Sequence, residues 1–199
     1  MTDNTTGQYG SGGGISNLGT LTLQSGSRVS GNTAAGGGGI ENGSAGSSTS
    51  AYLTLQSGST VTGNTAVYAA GGIATWSYLT LQSGSSVTEN TAGSDGGGIF
   101  IYRGSAVGTT TLQSGSSVSG NRAGGSGGGI TNYNSLALES GSRVTGNTAS
   151  DGGGISNNHG YVDINAGAII CSNLPLTAQC VGGVNGTGTC PAPSQECPD

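Results

Sequence analysis

A chain of 199 residues with a formal net charge of −5, 7% charged residues and 32% apolar residues cannot surround one broad globular core in the usual way. Its 43 glycines show no period of three and stand beside only 4 prolines, which excludes a collagen helix, while Leu, Ile and Val recurring at fixed places separate the chain from disordered sequences. No run of about 18 apolar residues is present to cross a bilayer, and an acidic chain without any Lys/Arg run is a poor partner for nucleic acid or anionic membranes.

Residues 1–6 carry neither a basic n-region nor an apolar h-region. They match the tail of a repeat, with Asn4 in a recurring asparagine slot and Met1 where valine is expected. The expectation is a chain that starts inside a coil, as an excised segment would, with an open N-terminal coil available for self-association. From there one unit recurs: G-G-G-I, a few polar residues, then L-x-L-[QE]-S-G-S-x-V-[ST]-[GE]-N-[TR]-A. Its asparagines, Asn32, Asn64, Asn90, Asn121, Asn147 and Asn173, are separated by 32, 26, 31, 26 and 26 residues. The base unit is therefore near 26 residues, and the two longer intervals insert residues around 41–51 and 100–108, as loops on one side of a solenoid do.

Alternation of apolar and polar residues at Leu21/Leu23, Leu53/Leu55, Leu79/Leu81, Leu136/Leu138 and Val162/Ile164 has the period of a strand. A second strand centres on Val29, Val61, Val87, Val118, Val144 and Ile170, and a third on Ile15, Ile40, Ile73, Ile99, Ile130 and Ile155. The fold expected is an all-β, single-stranded parallel β-helix (β-solenoid) with three short strands per coil and about six coils over residues 1–173, the first one partial. Stacked coils superpose identical residues about 4.8 Å apart, so the asparagines form an internal ladder. A lone coil buries too few aliphatics to offset its backbone entropy, so stability is expected only from the array.

Beyond Asn173 the pattern stops. Cys171, Cys180, Cys190 and Cys197 crowd this end without a C-x-x-C pair, which favours two disulfides, of open connectivity, in a C-terminal cap at 174–199 over zinc. Disulfides point to an oxidising, extracellular location, secreted or on a cell surface. Sequons stand at Asn4, Asn42 and Asn185.

The glycine-rich segments ending in isoleucine at residues 12–15, 37–40, 71–73, 96–99, 127–130 and 152–155, all but the last followed by a V-x-x-N turn, resemble the polymorphic outer-membrane protein repeat, a pectin-lyase-like right-handed parallel β-helix. Valine stands here where that family has phenylalanine. The resemblance implies right-handedness and an adhesin-like passenger role.

Candidate chemistry is sparse. Asp95 and Asp151 share a column two coils apart, about 9.6 Å by strand spacing, which borders on the separation of an inverting carboxylate pair; solvated turn residues are the simpler account. Glu89 and Glu139 are single replacements in repeat columns, and His159 has no second imidazole to share a metal. No nucleophile elbow, phosphate loop or calcium nonapeptide is present, so neither catalysis, metal nor cofactor is expected. Two surface patterns remain. A Thr/Ser face on the Leu and Val strands comprises Thr20, Thr22, Thr54, Thr80, Thr109 and Thr111, with Thr62, Thr88 and Thr145; it is similar to the flat hydroxyl faces of ice-binding solenoids, although Thr is also a good exposed strand former. An aromatic stripe, Trp76, Tyr102 and Tyr133, either grips sugar rings or shields the strand beneath. The expected role is a non-catalytic structural or adhesive segment that meets glycans, another surface protein or ice, without inserting into a membrane. Ice binding is the alternative, and a polysaccharide-active enzyme the next.

Overall fold

A computed structural model describes residues 1–7, 9–104, 108–175 and 179–182. The chain is a parallel β-helix, with every strand pair parallel and no helix among the described residues. Three sheets run its length. The Ile sheet has seven strands, from Ile15–Asn17 to Cys180–Val181; the Leu sheet has six, from Thr20–Leu23 to Tyr161–Ile164; the Val sheet has six, from Arg28–Ser30 to Ile169–Cys171. A fourth sheet, absent from the sequence reading, is made of two-residue strands at Thr33–Ala34, Thr65–Ala66, Thr91–Ala92 and Arg122–Ala123. Two residues are too few for a period to declare itself, but the alanine of each pair is buried and its neighbour faces out.

Register follows the repeat. Leu21, Leu53, Leu79, Thr110, Leu136 and Val162 pair in succession, as do Val29, Val61, Val87, Val118, Val144 and Ile170. These columns and the Ile column fuse into one core running along the axis, where each large aliphatic contributes about 1.5 to 3 kcal/mol by leaving water. Thr110 breaks the Leu column, and its buried hydroxyl oxygen has no hydrogen-bond partner. The coils approach too closely at the glycine run for a side chain: a Cβ on Gly71 would lie 2.5 Å from the Gly97 carbonyl oxygen. The G-N turn needs positive φ, which Gly31, Gly63, Gly120 and Gly146 adopt readily, whereas Glu89 is forced to φ 56° in the same column.

Each ladder asparagine donates its backbone N–H and its Nδ2 to Oδ1 of the next one, from Asn4 through Asn32, Asn64, Asn90, Asn121 and Asn147 to Asn173, at 2.8–3.0 Å. From Asn64 onward Nδ2 also donates to the carbonyl of the valine in the preceding coil. Gln179 takes the next place: its Oε1 accepts both Asn173 donors, and its Nε2 returns to the Asn173 carbonyl.

A second, interrupted ladder follows the Ile strand. Asn17 donates to Asn42 Oδ1 and Asn42 to Thr75 Oγ1; Ile101 then occupies the column, and the pattern resumes with Asn132 donating to Asn157. All six of these side chains are buried.

Cys171 closes the last Val strand and Cys180 opens the last Ile strand, and both are disulfide-bonded. Cys190, Cys197 and most of the expected cap lie outside the described residues.

Candidate functional site

Among the described residues the side chains that recur in register without being buried lie on the outer faces of the sheets, and these faces are the candidate sites. On the Leu sheet, strand alternation and exact register set two outward rows. One reads Thr20, Tyr52, Tyr78, Thr109, Ser135, Tyr161, and the other Thr22, Thr54, Thr80, Thr111, Ala137, Asp163. The threonines of the second row thus stand side by side in four consecutive coils. The first row is broken by Tyr52 and Tyr78, whose rings stack with centroids 4.9 Å apart and planes 6° apart. On the Val sheet the outward rows are Arg28, Thr60, Ser86, Ser117, Arg143, Ile169 and Ser30, Thr62, Thr88, Ser119, Thr145, Cys171. Thr62 is closed off from solvent there, while Thr88 and Thr145 are half-buried. A further row, Thr33, Thr65 and Thr91, faces out on the fourth sheet and was missed with that sheet.

The aromatic stripe lies over the outer face of the Ile sheet. Trp76 and Tyr102 stack face to face, 4.0 Å between centroids and 2° between planes. Phe100 continues the pile, 4.1 Å from Tyr102 and 5.4 Å from Tyr133. These rings roof a small second core of Ala70, Ala74 and Phe100 on the side of the sheet that alternation alone assigns to solvent. Rings stacked along the axis turn their faces to one another and present edges to water, which suits shielding better than a sugar platform.

Glu41 sits near the start of this face and accepts a hydrogen bond from the Ser16 hydroxyl at 3.3 Å. Burial raises its carboxyl above the usual range, and the Ser16 bond only partly opposes this. The Tyr102 hydroxyl is raised first by burial and then by the negative charges of Glu41 and Asp95 and by Tyr133.

Asp95 and Asp151 do share a column, with Ser126 between them, but each carboxylate is engaged by backbone: Asp95 Oδ1 accepts from the Ser126 N–H of the next coil at 2.6 Å, and Asp151 Oδ1 from the adjacent Gly152 N–H at 2.9 Å. His159 lies exposed in a turn at φ 62°. Among the described residues no group of three His, Cys, Asp or Glu side chains is placed to hold a metal ion. Two of the three sequons are occupied by folding: Asn42 Nδ2 is buried against Thr75 and Tyr78, and Asn4 Nδ2 is bonded to Asn32. Asn185 lies outside the described residues.

The fold and faces define a parallel β-solenoid with hydroxyl-rich outer sheets. No family model, no curated protein and no solved structure matches the chain.

Proposed function

We propose that this chain is a non-catalytic, extracellular β-solenoid serving as a structural or adhesive segment of a secreted or surface protein. The observation that carries this reading is the division of labour between positions. Residues that recur in nearly every coil, the core aliphatics, glycine corners and ladder asparagines, are buried or hold turns. The outward rows differ from coil to coil and carry hydroxyls and aromatics. A scaffold of fixed interior and variable exterior suits display and spacing. The disulfide-bonded Cys171 and Cys180 support the oxidising setting, and the repeat's resemblance to surface-protein passengers supports adhesion. Retention of the purified chain on immobilised glycans and on extracellular matrix proteins is the test. Saturable retention is expected; a chain that instead releases products from soluble glycans, with turnover lost in Asp151→Asn, overturns the non-catalytic reading.

The unbroken row Thr22, Thr54, Thr80, Thr111 favours ice binding as the second reading. Thermal hysteresis abolished by Thr80→Tyr would put it first.

A further inference from the structure

The aromatic pair of the Leu sheet ends on a free ring face. One face of Tyr52 is spent on Tyr78, its stacked neighbour in the next coil. On the other side its register partner is Thr20, whose side chain is too short to cover a phenol ring. Tyr52 consequently remains 47% exposed within its strand, while Tyr78 is half-buried. Thr22 and Thr54 stand in the adjacent outward row, and neither row carries a charge before Asp163 in the last coil. Trp76, the end ring of the other stack, is half-buried and packs over Ala70, Ala74 and Phe100, so it presents less ring to solvent than Tyr52 does.

We infer that the uncovered face of Tyr52, ringed by the hydroxyls of Thr20, Thr22 and Thr54, binds one pyranose ring of a neutral glycan. Ring C–H groups lie on the π face, and sugar hydroxyls exchange hydrogen bonds with the threonines. At these positions neither row brings a cation for a uronate or an anion for an amino sugar, so a charged ring would lose hydration there without compensation. The inference rests on the adhesive reading and gives it a residue and a ligand class.

The experiment is saturation-transfer NMR on the full chain with cellohexaose, mannohexaose and an oligogalacturonate. Transfer from protein to the ring protons of a neutral hexasaccharide is expected, weakened about tenfold in Tyr52→Thr, which recreates the Thr-x-Thr of the first full coil at an exposed position. Thr20→Arg, which lays a guanidinium over the same face, should cause a similar loss, and Trp76→Phe should cause none. Absence of transfer to both neutral probes, preference for the galacturonate, or equal binding by Tyr52→Thr overturns the site. Binding that survives Tyr52→Thr leaves glycan adhesion standing elsewhere on the surface, whereas failure of retention on every immobilised surface removes the adhesive reading as well.

Discussion

The two asparagine ladders were built by the same repeat and have fared differently. The ladder at the V-x-G-N turn is continuous from Asn4 to Gln179. The ladder at the Ile–Leu corner holds Asn17, Asn42, Asn132 and Asn157, but has Thr75 and Ile101 between them. The difference lies in what each corner must do. The first turn keeps one length in every coil, so each amide finds its neighbour at hydrogen-bonding distance. The second corner varies in length, taking extra residues at 43–51 and 102–108, and its amide is kept or lost independently of them: Asn42 holds its bonds beside an insertion, and Thr75 replaces asparagine where there is none. Constancy in this solenoid therefore marks a corner of fixed length, and variation marks the side on which surface features can be added.

The largest expected effect comes from breaking the continuous ladder. Asn90→Leu strands the Asn64 backbone N–H in a dry interior and removes the amide's bonds with Asn64 Nδ2 and the Val61 carbonyl, and should cost about 3 kcal/mol or more in urea unfolding, at about 1–3 kcal/mol for an unsatisfied buried group and about 1 kcal/mol for each further bond lost. Asn132→Ala, in the interrupted ladder, should cost roughly half as much, because only its bond to Asn157 is fully buried, while those to the Tyr161 carbonyl and from the Asn134 N–H are partly buried and water can replace them. Equal losses would sink the distinction between the corners.

Thr110→Val should act in the opposite direction. It keeps the volume and removes the unpartnered buried hydroxyl, for a gain of about 1–2 kcal/mol on the scale of mutational data. Glu89→Gly relieves a left-handed backbone beside Asn90; the relief of about 1–2 kcal/mol is partly offset by the entropy glycine adds to the unfolded chain, leaving about 0.5–1 kcal/mol. A loss of stability in Glu89→Gly would mean that the carboxylate makes contacts worth more than the strain.

The smallest effect is a pH dependence. Glu41 has a raised pKa in the folded chain, so the folded state holds this proton more tightly than the unfolded state. Its contribution to stability therefore grows as pH falls through the raised pKa and is lost as pH rises through it. Glu41→Gln should flatten that part of the profile of urea midpoint against pH while leaving the neutral-pH midpoint unchanged or slightly higher.

The main columns were legible because each recurs at one spacing and has one chemistry. Val29 through Ile170 and Asn32 through Asn173 needed only alignment by eye. The second ladder carried a signal too, an asparagine two residues after isoleucine in four of the coils, but Thr75, Ile101 and the insertions hid it. Strand alternation misplaced Ala74 and Phe100, since it assigns them to the solvent side and cannot foresee that Trp76 and Tyr102 fold back over that side. Gln179 was invisible for a different reason: it falls after a stretch with no repeat, and a glutamine substitutes for an asparagine only once the chain has curved back to bring it there.

The continuous ladder also gives the rod a direction. Along the ladder every amide-to-amide bond from Asn4 to Asn173 runs toward the same end, even though Nδ2 also donates back to a valine carbonyl from Asn64 onward, so these bonds add rather than cancel and each polarises the next. Gln179, one methylene longer, turns its own Nε2 back onto the Asn173 backbone carbonyl and closes the line. Additional coils can be spliced between Asn32 and Asn173 without disturbing this order, because each arrives with one acceptor and one donor correctly oriented. A coil entered in reverse would set two acceptors face to face, so growth of such a rod by duplication has only one permitted sense.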